Sequence, residues 1–558
     1  MAVQFLSFIR ENRAGALLSG AAALCTYGAW MTRQDITIDT EIMMADPEAM
    51  MNSWLGINRF GLVFTKHLFG QTAFHPVFSR VFTVFFLWIT AMVLASSVYK
   101  WSGEQKRFRL FTAIFPILYV TAPCFAEQFY FVLQSAEVAF ALLLCALAAW
   151  GAGKFAFFGG KWFWAAGSIF LMAWAFGTYQ AMAAVETAVI VILFMTVYLG
   201  RNGRELDKKR FGWLLAGVKL AVIFVIGFVL YMSAASAVRT LSGGSEAYVA
   251  DMMHWKKDGL NVCLHSIAGE LRRVFDCYYA MFRPEFGWAV LLFFISSLVW
   301  MERRKRPGKL CFLAAVCVFL MSPFLMTIVA GYYQPIRAHL VYPLVFAFAL
   351  SFLTAFLWPE EEDQEGEKTG EGGSDKDKMD KDSTGKRGTE EEGIEKNRRG
   401  AAQWRKGAAF ITAALCILIS WSQAEDASAL FETIHQVSEQ DISLTREIYE
   451  RAKETAEREK RDIEDCVFIF LGKREAELPL DAMRGDVIGC SFYQWDAQSS
   501  MGISRRIYDL MQALELPSKE PVLSRYLDSL PFAEEMSCYP EEGSIRMDED
   551  TVIVKLSE

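Results

Sequence analysis

Long apolar runs separated by short charged or aromatic connections dominate the chain. A membrane-spanning helix needs about 20 mostly apolar residues. Eleven runs approach that length, near 14 to 31, 77 to 98, 110 to 125, 130 to 151, 162 to 179, 181 to 200, 212 to 236, 287 to 301, 310 to 330, 338 to 357 and 407 to 422. The runs within 110 to 151 and 162 to 200 lie close enough together to merge or shift.

Composition agrees with the pattern. Over 558 residues, 53% are hydrophobic and 14% aromatic, and the mean hydropathy is +0.22. That is too apolar for an ordinary soluble enzyme and reads as a polytopic α-helical membrane protein. Arg10 and Arg13 precede the first run, which has no small-x-small cleavage site, so an uncleaved first helix is expected. Lys and Arg gather in alternate connections, at 10 to 13, 100 to 109, 154 to 161, 201 to 210, 303 to 309 and 396 to 406. By the positive-inside rule the N-terminus is cytoplasmic, and eleven crossings put the C-terminus outside.

The connections define the expected organisation. Residues 1 to 357 form a membrane region with long outer loops at 32 to 76 and 237 to 286. In the first, Met50 to Phe69 reads as an interfacial amphipathic helix, with a second spanning helix as the alternative. In the second, His265 to Met281 is helix-like. Residues 358 to 406, almost free of large apolar residues, read as a charged, disordered cytoplasmic linker. A last helix at 407 to 423 leads into an outer α/β domain at 424 to 558. There 465 to 472 reads as a buried strand and the alternation from Ser544 to Leu556 as a terminal hairpin.

Candidate chemistry centres on Arg33 to Glu41. Its carboxylates Asp35, Asp39 and Glu41 follow the first apolar run directly, at the expected membrane edge, where a working polar cavity or a solvated loop would both fit. Asp35 and Asp39 share a face on a strand or a helix alike, which marks them as a pair. Cations able to hold a phosphate are Arg337 and His339 at an outer helix end, with Arg59 and Lys66 as a second set. Snorkelling would also explain an arginine there. Glu127, Gln128, Tyr179, Gln180 and Gln334 lie near outer helix ends and are candidates to touch sugar hydroxyls. Together these parts suit glycosyl transfer from a polyprenyl phosphate sugar, with Asp39 the first candidate for the base that takes the acceptor proton. Two other readings stay open, a lipid-linked oligosaccharide flippase or transporter and a non-catalytic envelope assembly protein. The eleven cysteines lack CxxC or Cys/His spacing, so no metal or cofactor is indicated, and a divalent ion is left open. Nothing points to nucleic acid.

Several strings resemble the O-antigen glucosyltransferase family named after the type II serotype-converting enzyme. They are Asp35-Ile-Thr-Ile-Asp39, Trp54…Gly56…Arg59-Phe-Gly61, Gly177-Thr-Tyr-Gln180 and Pro335-Ile-Arg337, then Phe468 to Gly472, Ile488 to Phe492 and Tyr539 to Leu556. The resemblance implies a GT-C-like fold, a glucosyl donor on undecaprenyl phosphate, and a surface polysaccharide such as O-antigen as acceptor. Transfer would occur outside the bacterial cytoplasmic membrane. It places Asp35 and Asp39 at the catalytic opening and Arg337 in the matching basic position. A flippase and a polyprenyl-phosphate glucosyl synthase are the partners it implies. The charged insert is not expected of the family.

Overall fold

A computed structural model describes residues 2–242, 253–359 and 384–558. The described chain is mostly helical. Its elements run α1 (Ala2–Glu11), α2 (Arg13–Thr32), α3 (Thr40–Ala45), α4 (Pro47–Gly56), α5 (Phe60–Phe69), α6 (Pro76–Trp101) and α7 (Phe108–Val120). Next come α8 (Phe125–Phe129), α9 (Val132–Phe158), α10 (Trp162–Thr178), α11 (Met182–Leu199), α12 (Arg204–Asp207), α13 (Gly212–Ser242) and α14 (Leu260–Phe275). The chain continues through α15 (Glu285–Arg304), α16 (Lys309–Met321), α17 (Leu325–Ala330), α18 (Val341–Leu357) and α19 (Thr384–Arg458). It ends with β1 (Val467–Leu471), α20 (Gly502–Ala513), α21 (Leu523–Ala533), β2 (Ile545–Asp548) and β3 (Thr551–Lys555).

Among the described residues, eight helices are long and apolar enough to cross a membrane, counting Lys309–Ala330 as one across the 3₁₀ turn Ser322–Phe324. Three expected spans fold as shorter helices, α7, α10 and α18, of 13 to 17 residues. The central α9 packs against α6, α10 and α11. It is buried almost throughout, including Gln134, Ser135 and Glu137, so those polar groups must find partners inside the bundle.

Several expectations change. Met50 to Phe69 is two helices, α4 and α5, broken where Asn58 takes φ +66°. Asp46 caps α4 by accepting from the Ala49 N–H at 2.9 Å. α5 packs into the bundle against α10, because Gly61 has no Cβ to strike the α10 backbone at Trp174. The helix expected from His265 to Met281 is α14, which starts five residues earlier, and the stretch 243–252 of the same outer loop lies outside the described residues. So does 360–383 of the charged tract, whereas from Thr384 onward the backbone is helical.

α19 has no break at the expected 423/424 boundary. No glycine or proline interrupts the sequence between Gly407 and Gly472, and the helix continues to Arg458. Its 59 residues from Gly400 extend about 90 Å at 1.5 Å per residue, far beyond the ~30 Å of hydrocarbon. The C-terminal sheet has order β1-β3-β2, with β1 and β3 parallel and the hairpin β2–β3 antiparallel. All eleven cysteines are free thiols.

Candidate active site

The 33–41 loop crosses one end of the bundle between α19 and the start of α9. Arg33 reaches Glu432 on α19 at 2.5 Å. Asp35 is buried; its Oδ1 lies 2.7 Å from His435 Nδ1 and its carbonyl accepts from Arg80 at 2.9 Å. The Thr37 hydroxyl donates to the Tyr130 carbonyl at 2.7 Å, and the Ser438 hydroxyl accepts from the Ile36 N–H at 2.9 Å. The loop is a fixed structure, not a solvated excursion.

At Asp39 the backbone turns left-handed, with φ +70°, and starts α3. Aspartate tolerates that region better than most residues. The turn overturns the expected pairing: Asp39 and Glu41 converge while Asp35 points away to His435. Arg506 on α20 makes the convergence, donating from Nη1 to Asp39 Oδ1 at 2.7 Å and Glu41 Oε1 at 2.8 Å, and from Nε to Asp496 at 2.7 Å. Asp39 remains 37% exposed, against 0% for Glu41. Burial, with Asp39 adding, pushes the Glu41 carboxyl up to about 8 against the opposing pull of Arg506.

The expected cations sort themselves along the first two turns of α9. The Arg337 guanidinium lies 4.8 Å over the Phe131 ring, and Arg59 donates to Gln134 at 2.9 Å while covering the Tyr179 ring at 5.1 Å. Lys66 pairs with Glu137 at 3.0 Å, both fully buried. Gln134 and Glu137 are i,i+3 neighbours on α9 and Phe131 is its N-cap residue, so the three cations are spaced along the start of that helix. Arg337 and Arg59 are half-buried. Lys66 is the correction: Glu137 already neutralises it beyond solvent reach, so it offers no charge to a phosphate. His339 is likewise buried, 2.8 Å from Glu270.

Most of the residues expected to touch sugars have partners within the protein. Glu127 is fully buried, and its Oε1 accepts from the backbone N–H groups of Val487 and Ile488 at 3.2 and 3.5 Å. Burial and the nearby Asp486 push its carboxyl up to about 7. Gln128 is buried with no partner for its amide among the described residues. Gln180 donates to the Ile57 carbonyl at 3.1 Å, and Gln334 to the carbonyls of Tyr332 and Tyr333. Thus Arg59-Phe-Gly61 and Gly177-Thr-Tyr-Gln180 are packed on each other. A Cβ on Gly177 would stand 2.6 Å from the Phe60 ring.

Sequence reasoning missed Arg506, Asp496, Arg80 and His435. Arg506 and His435 carry no local signal, although three carboxylates in nine residues required cations from elsewhere. Among the described residues no group of three or more His, Cys, Asp or Glu is placed to hold a metal ion.

A family model described as Glucosyl transferase GtrII matches residues 28–355, more than half of the chain. The match takes in the acidic loop, Arg59 and Arg337, and ends before the charged tract, so the strings at 468 to 556 fall outside it. No curated protein and no solved structure matches the chain.

Proposed function

The chain belongs to the glucosyl transferase GtrII family, and from that premise we propose that it moves a hexose, glucose first, from undecaprenyl phosphate to a cell-surface polysaccharide. Transfer would take place at the outer face of the bacterial cytoplasmic membrane. Residues 1–357 form the catalytic membrane region in this reading, and the chain beyond 423 lies outside. A synthase that loads the lipid and a flippase that turns it outward would supply the donor.

One observation carries the reading. The carboxylate loop and both accessible arginines are attached to the same five residues at the start of α9: Thr37 to Tyr130, Arg337 to Phe131, Arg59 to Gln134. A base and a phosphate-binding pair therefore share one support. In the step, the acceptor oxygen attacks the anomeric carbon and gives its proton to the carboxylate. The bond from that carbon to the phosphate oxygen breaks, and the lipid phosphate leaves against Arg59 and Arg337. Phosphate is a competent leaving group without an acid, so cations suffice there. Asp39 is the base in this scheme, because Asp35 and Glu41 are sealed from solvent.

Orientation has its own support. Burial lowers the pKa of Arg107, and the nearby charges of Arg304, Arg405, Arg201 and Arg303 lower it further, so these basic connections gather at one end of the bundle. α2 places the acidic loop at the opposite end. The test is to incubate membranes holding the protein with undecaprenyl phosphate carrying different labelled hexoses. Label should pass from the glucosyl lipid to the membranes' glycans. Label passing from none of them would overturn the reading in favour of a flippase or assembly role.

A further inference from the structure

Each charged side chain of the 33–41 loop meets a partner beyond residue 400. Arg33 meets Glu432, Asp35 meets His435, and Asp39 and Glu41 meet Arg506. All three partners lie outside the segment that carries the family match. Resting on the transfer reading above, we propose that Arg506 is a positioning residue for the reaction: it fixes the Asp39 carboxylate toward the acceptor hydroxyl, and the C-terminal segment completes the active site.

The geometry of Asp39 requires such a partner. Asp39 begins α3 without a side-chain cap bond, so its own helix does not orient the carboxylate. Among the described residues its Oδ1 has one hydrogen bond, from Arg506, and its Oδ2 has none. With 37% of the side chain exposed, that second oxygen is the one left to accept a proton.

Arg506 is itself held from two other sides. Asp496 takes Nε and the buried Glu41 shares Nη1, and α20 packs directly on α3. A planar guanidinium anchored at two edges transmits its orientation to a third carboxylate, which a flexible ammonium cannot do. The charged groups facing Asp39 are then Glu41 on its own helix and Arg506 and Asp496 from the C-terminal segment, with Asp509 one turn beyond Arg506 on α20.

The alternative is that Arg506 merely docks the C-terminal segment. Membranes holding full-length protein, supplied with undecaprenyl phosphate bearing labelled glucose, separate the two. Arg506→Ala should lower kcat about 100-fold, the scale of a misplaced catalytic group, while donor KM stays near wild type. Added guanidinium ion should restore turnover. Arg506→Lys should keep the wild-type unfolding temperature yet turn over more slowly, and this holds the inference open to test where the alanine variant fails to fold. Full turnover in either variant, or a loss that follows folded protein and ignores guanidinium, would overturn the proposal. A wild-type protein that transfers no label from any hexosyl lipid would overturn the functional reading and this inference with it.

Discussion

Oδ1 of Asp35 lies 2.7 Å from Nδ1 of His435, a residue 400 positions further along the chain. Asp35 is sealed, and its second oxygen has no hydrogen-bond partner among the described residues. His435, together with the Arg80 guanidinium whose charge also acts on Asp35, makes a buried carboxylate tolerable. His435→Ala should destabilise the protein by about 1–3 kcal/mol, the usual effect of stranding a buried polar group. Because the two side chains touch, Asp35→Asn combined with His435→Ala should lose less than the sum of the single losses. Thermal unfolding in detergent reads both, and strict additivity would show that the contact carries no energy.

Asp39 should behave in the opposite way. It is half-exposed at a turn, so Asp39→Asn keeps the fold and removes the proton acceptor. Label transfer should fall by about 10²–10⁴-fold, the span of general base catalysis, with the unfolding temperature close to wild type. Asp35→Asn should show the reverse, lower stability with transfer falling only as folded protein falls. A fully active Asp39→Asn variant would move the base to another residue.

What could be read from the sequence and what could not divides along a physical line. Hydrophobic periodicity reports which residues face away from water, and it located the long apolar helices and the strand pair Ile545–Asp548 and Thr551–Lys555. It does not report partners. Asp35 and Asp39 look paired on any regular backbone, but the left-handed turn at Asp39 is a single-residue event that no repeat encodes. Lys66 looks like a polar-face cation because Glu137, which buries it, is 71 positions away. Arg506 is more distant still, 467 positions from Asp39. The α19 helix overran its expected end because the polar residues after 423 are good helix formers and nothing stops them.

The Lys66–Glu137 pair gives a sharp contrast between losing one partner and losing both. Its side chains are fully buried, and Lys66 also lies within 6 Å of the Trp54 and Phe74 rings, at 5.7 and 5.4 Å. Lys66→Met leaves Glu137 charged with no compensation and should cost about 3–5 kcal/mol. Lys66→Met with Glu137→Leu removes both charges at similar volume and should recover most of that loss. Unfolding of the three proteins by heat or denaturant settles it, and a double variant no better than Lys66→Met would mean the pair is not an isolated unit.

Glu41 makes stability depend on pH with a definite sign. Its folded carboxyl titrates near 8, while an unfolded one titrates near about 4.3. Between those values the folded chain holds a proton that the unfolded chain has released. Stability from this group is therefore complete below the unfolded value and declines as pH rises toward 8, by up to about 1.4 kcal/mol per pH unit. Glu127 tilts the curve the same way up to about 7, so the informative quantity is the variant minus wild type. Glu41→Gln stays neutral throughout and keeps its shape beside Arg506. Its unfolding temperature should match wild type below about pH 4 and exceed it progressively to pH 8, after which the gap stays constant. Parallel curves across that range would show that Glu41 ionises in the folded protein as readily as in water, against the burial and the neighbouring Asp39 that hold its proton.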